Sequence, residues 1–253
     1  MLVETIEDGV VIVTLKNGKT NSITAETLAM LDEIVAKVNE DDALKGIVLT
    51  GVGRFFSSGF DLPMFLGFKD HAEIISFFDE EEESLIRFLT CRKPVVCAIN
   101  GHCAAAGMIW GMASDYRIVK NHPKIKLGMS EIKIGLPLSV AQTEVMRFGL
   151  DTDKKFRDVM YFGDMVDPLR AKELGIVDEV VEEDELISRA IQIVKLWIDT
   201  PGRPFIPMKY MLKKEAVAKI REGLKDPKWK EQLKCFFKDD VRATLEFVQA
   251  SMQ

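Results

Sequence analysis

Val95-Val96-Cys97-Ala98-Ile99-Asn100-Gly101-His102-Cys103-Ala104-Ala105-Ala106-Gly107-Met108-Ile109-Trp110-Gly111-Met112-Ala113-Ser114-Asp115-Tyr116-Arg117-Ile118-Val119 is the stretch on which the reading of this chain turns. It opens with a short apolar run that reads as a buried strand. Asn100-Gly101 breaks that strand. Three alanines and a glycine follow, with almost no side-chain volume, and then an apolar helical segment. Asp115 leads into a second strand-like run, Tyr116 to Val119. Small residues between a strand and a helix start let another molecule approach bare backbone. The first amides of a helix are unpaired and sit at the positive end of its dipole. Such a place can hold a developing oxyanion. Tight helix packing inside a core accounts for the same residues, and the stretch alone does not separate the two readings.

The surrounding chain narrows the setting. Its 253 residues suffice for one large domain, or one domain with an appendage, and 47% hydrophobic residues supply a sizeable core. A net charge of -6 argues against nucleic acid as a partner, because phosphate binding needs a basic face. The acidic runs Asp79-Glu80-Glu81-Glu82-Glu83 and Glu182-Glu183-Asp184-Glu185 read as solvated surface. Cys91, Cys97, Cys103 and Cys235 form no CxxC pair, so no disulfide framework is expected. His71, His102 and His122 lack helical spacing, and no metal site is expected. The N-terminus has no signal-peptide pattern, no apolar run approaches membrane-spanning length, and Ser-Met-Gln at the end is no peroxisomal address. The expectation is a soluble cytoplasmic protein that uses no membrane.

Residues 2–6 and 9–15 read as a hairpin around Asp8-Gly9. Thr24 is placed to cap a helix that carries Leu28, Leu31, Ile34, Val35 and Val38 on one face. Lys45 to Thr50 is a buried strand, so right-handed parallel crossovers are expected. Gly51-Val52-Gly53-Arg54-Phe55-Phe56-Ser57-Ser58-Gly59-Phe60-Asp61-Leu62 then forms a loop at the carboxyl end of that strand, where ligands of open α/β sheets sit. It is not a complete P-loop, and Gly51-x-Gly53 alone is weak evidence for a dinucleotide fold. Residues 70–90 read as a helix between two candidate ligand loops. Lys126 to Met129 reads as a short strand and Ser130 to Ser139 as irregular, with Ser139 capping a helix over 140–148. Short helices are expected at 152–162 and 168–174, and a strand at 175–181. Helix is expected from about residue 185, broken at Pro201-Gly202-Arg203-Pro204.

Three segments together resemble the crotonase superfamily of enoyl-CoA hydratases and isomerases. They are Arg54 to Leu62, Asn100 to Arg117, and Met129-Ser130-Glu131-Ile132-Lys133-Ile134-Gly135, in the family's order and separation, followed by Gly175-Ile176-Val177-Asp178. The resemblance implies an α/β fold, a spiral of ββα units over residues 1–190 that carries an acyl-CoA site. It further implies a helical oligomerisation region over 191–253, and a homotrimer or a dimer of trimers. The implied partner is an acyl-CoA thioester, with CoA part of the substrate and no separate cofactor. The implied thioester contacts lie along Ser58, Gly59, Phe60, Asp61 and Leu62 and at Ala106. The backbone N–H groups of Phe60 and Ala106 would hold the thioester oxygen. Within the superfamily, Phe56 to Leu62, Gly101 to Gly107 and Met129 to Glu131 are most similar to the Δ3,Δ2-enoyl-CoA isomerases, the plant peroxisomal ones in particular.

Counting carboxylates sharpens that resemblance. Hydratases of the family use two glutamates. One lies three residues after the oxyanion position, which here is Ile109; the other corresponds to Glu131. Adding water needs a group that activates the water and a placed proton donor, and Ile109 is neither. Moving a double bond needs one base that takes a proton from C2 and returns it at C4. Glu131 is the residue expected to do this, and the apolar Met129, Ile132 and Ile134 around it would raise its pKa. An exposed glutamate before a strand is the plainer reading of Glu131 without the motif. A hydratase with a carboxylate from elsewhere, an acyl-CoA hydrolase, and a non-catalytic acyl-CoA-binding protein are the alternatives. His102-Cys103 reads as a hydrogen-bonded imidazole and a packed thiol rather than a nucleophile. Asp61 reads as a cap of its own loop and Asp115 as an anchor. Lys19 and Arg54 are candidates to meet CoA phosphates, and read equally well as exposed cations with no role.

Overall fold

The computed structural model describes residues 1–252. The chain begins with the expected hairpin, β1 (Leu2–Glu7) and β2 (Val10–Leu15), turned by Asp8 and Gly9, both at positive φ. Helix α1 (Ala25–Glu40) follows, its first turn closed by the Thr24 hydroxyl accepting from the Thr27 amide. Then come β3 (Gly46–Gly51), β4 (Phe55–Ser57), α2 (Leu62–Gly67) and α3 (His71–Leu89). The next turn of chain is β5 (Val95–Ile99), β6 (His102–Ala104) and α4 (Ala106–Ala113). After it run β7 (Tyr116–Lys120), β8 (Leu127–Gly128), a 3-10 turn at Glu131–Ile134, and α5 (Val140–Gly149). Helices α6 (Asp153–Phe162) and α7 (Pro168–Glu173) lead to β9 (Glu179–Val181). Four helices complete the described chain: α8 (Leu186–Ile198), α9 (Phe205–Gly223), α10 (Lys228–Gln232) and α11 (Asp239–Met252).

Two sheets result. The larger has the order β1-β2-β3-β5-β7-β9, antiparallel only at the β1–β2 hairpin, and the smaller is the parallel set β4-β6-β8. The pairs β3–β4, β5–β6 and β7–β8 each place one strand in each sheet, and a helix carries the chain onward. This is the spiral of ββα units that the resemblance implies. The inner strands β2, β3 and β5 are covered on both faces, which is why they read as apolar runs, whereas the edge strand β1 is largely exposed. Ile47, Leu49, Val95, Cys97 and Val119 face the main core with α1, α3 and α4, while Val48, Val96, Ala98 and Ile118 pack against α8.

The structure departs from the sequence reading in four places. β4 and β6 lie inside segments read as loop, because three-residue strands are too short to show a period of two. Helix α2 emerges from the same loop with Asp61 as its cap. Only Glu179–Val181 of the expected strand at 175–181 pairs; Gly175 turns at φ +76 and the next residues lead in. Finally, the run at 79–83 is not all solvated. Glu81 and Glu82 are 0% and 1% exposed, turned from α3 toward α5, since a helix that packs on two sides must bury some of any five-residue run.

Asp115 anchors the helical tail to the core. Its carboxylate accepts from the Val95 amide (2.8 Å) and from Lys209 (2.5 Å) and pairs with Lys213 (2.6 Å), both lysines reaching in from α9. The ammonium groups also donate to the carbonyls of Lys93, Leu89 and Ala113. Burial alone would raise the Asp115 pKa, but the two lysines outweigh it and hold it low. Burial pushes Lys213 down to about 8, against the pull of Asp115. Removing one partner of such a buried set strands the other charges. Asp115→Asn is therefore expected to lower the unfolding free energy by about 3–5 kcal/mol in urea titrations at neutral pH. A loss below about 1 kcal/mol, the range of a surface pair, would contradict this role.

Candidate active site

The site is assembled where β4 and β6 end. Gly59 follows β4 with φ +101, and a Cβ there would lie 2.6 Å from the Ala105 Cβ and 3.1 Å from the Ala106 nitrogen. Only a residue without a side chain permits this approach. Ala105 answers with φ 55 and ψ -133, a rare conformation for a non-glycine residue, immediately before α4. Gly107 is pressed equally hard: a Cβ there would meet the Ser57 Cβ at 2.7 Å and its carbonyl oxygen at 2.8 Å. The small residues noted in the sequence thus serve both readings at once, since tight packing is what draws the two backbones together.

The loop is tied down so that one amide stays unused. The Ile23 amide donates to the Gly59 carbonyl, the Asp61 amide to Ile23, and the Ser58 amide to Thr20. Among the described residues, the Phe60 and Ala106 amides donate to no other group. Ala106 is the first residue of α4, so its N–H has no intrahelical partner and feels the helix dipole. Two unpaired donors on neighbouring backbones make the kind of cradle that can hold an anion.

A cavity of about 430 Å³ opens over this cradle. Ser58, Phe60, Asp61, Leu62 and Ala106 line it, as do Ile109, Glu131 and Lys19. Gly59 lies behind the wall, against Ala105. Arg54 is not part of the lining. Asp61 faces the cavity with its oxygens engaged: one accepts from the Met64 amide (3.1 Å) and the other from the Ser22 hydroxyl (2.9 Å). It caps α2, as its sequence context suggests. Phe60 and Phe65 line the cavity, whereas Phe77 and Trp110 pack in the core. Phe60 meets Phe65 and Phe77 edge-on with centroids 5.5 and 5.3 Å apart, which fixes the loop's direction.

Glu131 enters from the opposite side, at the start of the 3-10 turn after β8. It is 8% exposed, and its Oε2 is buried with no hydrogen-bond partner. Burial raises its pKa to about 7, with the amides of Glu131 and Ser130 opposing that only in part. Asp61 and Glu131 are the two acids in the lining, and only Glu131 keeps an uncommitted oxygen there. Glu144 pairs with Arg147 outside the cavity. Cys103 is buried with its thiol pushed up by burial, and the His102 Nδ1 accepts from the Lys126 amide (3.1 Å). Among the described residues, no group of three His, Cys, Asp or Glu side chains is placed to hold a metal ion. Sequence reasoning missed Gln142, Leu136, Phe236 and Val248 as lining residues. Gln142 had a visible signal, its position three residues after the cap Ser139. Phe236 and Val248 come from the tail and carry no motif.

The chain matches the enoyl-CoA hydratase/isomerase family over residues 5–243 and belongs to that family, the crotonases. It is 29% identical over 209 residues to mouse mitochondrial enoyl-CoA delta isomerase 1, covering 81% of this chain and 71% of the relative. It is 25% identical over 186 residues to a probable enoyl-CoA hydratase of Bacillus subtilis, covering 73% and 71%. Human mitochondrial delta3-delta2-enoyl-CoA isomerase shares the fold with a TM-score of 0.90 at 24% identity, over 99% of this chain and 97% of that one. A probable enoyl-CoA hydratase of Mycobacterium tuberculosis has a TM-score of 0.80 at 24% identity, over 88% and 93%.

Two outcomes test the site as built. Gly59→Ala forces Ala105 and Ala106 away from the loop, and displacing a cradle by about 1 Å costs about a hundredfold in turnover; kcat/KM near wild type would contradict the close approach. The second concerns Glu131. Its folded pKa lies above its ordinary value, so the folded protein holds an extra proton between pH 4.5 and about 7. Stability is therefore lost as pH rises through that window. Glu131→Gln should stabilise the protein by up to roughly 3 kcal/mol at pH 8 and by little at pH 4, measured by denaturant unfolding. An equal change at both values would mean that the carboxyl is not buried.

Proposed function

We propose that this chain is a Δ3,Δ2-enoyl-CoA isomerase, moving the double bond of a 3-enoyl-CoA to the 2-position by proton transfer through Glu131. The thioester oxygen sits between the Phe60 and Ala106 amides. As the proton leaves C2, charge builds on that oxygen, and two fixed donors stabilise it in a dry site. Glu131 takes the proton as a carboxylate and returns it to C4, so no redox partner enters the balance. A base with pKa near 7 is well poised for both halves of that exchange. CoA is part of the substrate, and Lys19, on the cavity lining, is placed to meet its phosphates.

The observation that carries this reading is the single uncommitted carboxyl of the cavity. Ile109 lines the wall where a hydratase would need its second acid. Glu81 and Glu82, buried nearby, do not reach the lining. The relatives include both isomerases and hydratases, so the carboxylate count, rather than overall likeness, favours isomerisation. We infer association into trimers, or pairs of trimers, from the family resemblance; the exposed Met208, Met211 and Leu212, at helical i, i+3, i+4 spacing on α9, give an apolar face of the kind that marks interfaces.

Purified protein should convert 3-hexenoyl-CoA to the 2-enoyl isomer without forming hydroxyacyl-CoA or free thiol. Its kcat/KM should fall below pH about 7 as Glu131 takes up a proton. Glu131→Gln should abolish turnover while CoA thioesters still bind. Retained turnover in the variant would move the base elsewhere, and a hydroxylated product would turn the assignment to a hydratase.

A further inference from the structure

The cavity has a polar end and an aromatic end. Thr20, Ser22, Ser58 and Asp61 line the first and are bonded to one another. The Ser58 amide donates to the Thr20 carbonyl at 3.0 Å, and the Ser22 hydroxyl to Asp61 at 2.9 Å. Phe65, Phe78 and Phe236 line the second. The Phe236 centroid lies 5.0 Å from that of Phe65 and 5.8 Å from that of Phe78. Phe60 joins the two ends. Its backbone pairs with Ile23 beside the polar group, and its ring meets Phe65 and Phe78 edge-on. Among the described residues Phe236 has no ring contact with Phe60, so it stands one ring farther from the cradle. A thioester with its oxygen at the Phe60 and Ala106 amides and its CoA side on the polar end sends its acyl chain toward these rings. Apolar surface leaves water favourably only in that direction.

Phe236 is a stop held from both sides. It is buried in a 3-10 turn (Leu233–Phe237) between α10 and α11. Before it, the His71 Nε2 donates to the Lys230 carbonyl at 3.0 Å, and Lys230 pairs with Asp79 at 2.6 Å. After it, Arg242 donates to the Leu66 carbonyl at 2.9 Å. The ring cannot move far without breaking the bonds that fasten the tail to α2 and α3. Phe65 and Phe78 also support the Phe60 ring, whereas Phe236 touches neither the cradle loop nor Glu131 through any ring contact or hydrogen bond described here. Shortening Phe236 would leave an apolar space that opens into the acyl end, and such a space takes up apolar ligand.

The geometry points to Phe236 as the residue that sets acyl chain length, its ring closing the far end of the acyl cavity. This rests on the reading of the cavity as an acyl-CoA site. The tail thus supplies a specificity-determining residue to a site otherwise built by the spiral.

The test is calorimetric titration of wild-type protein, Phe236→Ala and Phe236→Leu with saturated acyl-CoA thioesters from butanoyl to hexadecanoyl. Saturated chains cannot isomerise, so binding is read apart from turnover. In wild-type protein each two-carbon step should tighten binding roughly fifteenfold until the chain meets Phe236, and by less than about twofold beyond it. Phe236→Ala should move that break outward by about two carbons or more, and Phe236→Leu by less. Where neither variant folds, wild-type protein decides. An acyl-CoA of the break length with a diazirine at its chain end should, on photolysis, label the segment Leu233–Phe237. Binding that tightens through hexadecanoyl without a break, a break that stays in place in both variants, or label placed elsewhere overturns the proposal and leaves the acyl-CoA reading standing. If no acyl-CoA binds, that reading fails and takes this one with it.

Discussion

The close approach of Gly59 to Ala105 and Ala106 is the contact on which the site depends. It forces one backbone to within van der Waals reach of another, and leaves the Phe60 and Ala106 amides with no acceptor among the described residues. An unpaired buried donor is costly, and a strained Ala105 adds to that cost. Such an arrangement persists only because the surroundings over-determine it. The parallel pairing of β4 with β6, the Ile23 bonds to the Gly59 loop and the Gly107–Ser57 contact all hold the two segments in place.

The rest of the molecule positions what faces that cradle. β8 lies beside β6 and delivers Glu131 to the cavity three residues beyond its end at Gly128. Apolar surroundings then make the carboxyl a weaker acid, which destabilises the fold above neutral pH and suits a group that must both take and give a proton. Asp115, by contrast, is a buried carboxylate kept ionised by two lysines, and it works on stability alone. Burial acts on both groups; the difference lies in whether cations answer it. Helix α3 serves both worlds, since it walls the cavity with Phe78 and buries Glu81 and Glu82 against α5.

Much of this was legible in the sequence. The long buried strands, α1 with its Thr24 cap, and the Asn100–Gly107 passage carried strong local signals. Glu131, Phe60 and Ala106 could be named because three motifs occurred together. The short strands β4 and β6 could not be read, because they are held by pairing partners distant in sequence rather than by their own pattern. The burial of Glu81 and Glu82 was hidden for a related reason. A charge run states its composition, whereas which of its members face α5 is settled by tertiary packing. Phe236 and Val248 reach the cavity only because the tail folds back over it, and no local feature of residues 225–252 announces that.

In the proposed isomerisation one carboxyl carries a hydrogen from C2 to C4 of a bound acyl chain. The direct measurement is to supply 3-hexenoyl-CoA dideuterated at C2 in ordinary water and to locate the label in the product by nuclear magnetic resonance. A buried single base predicts deuterium at C4 of the 2-enoyl product. Product whose C4 has gained only solvent hydrogen would contradict direct carriage by a carboxyl shielded from water.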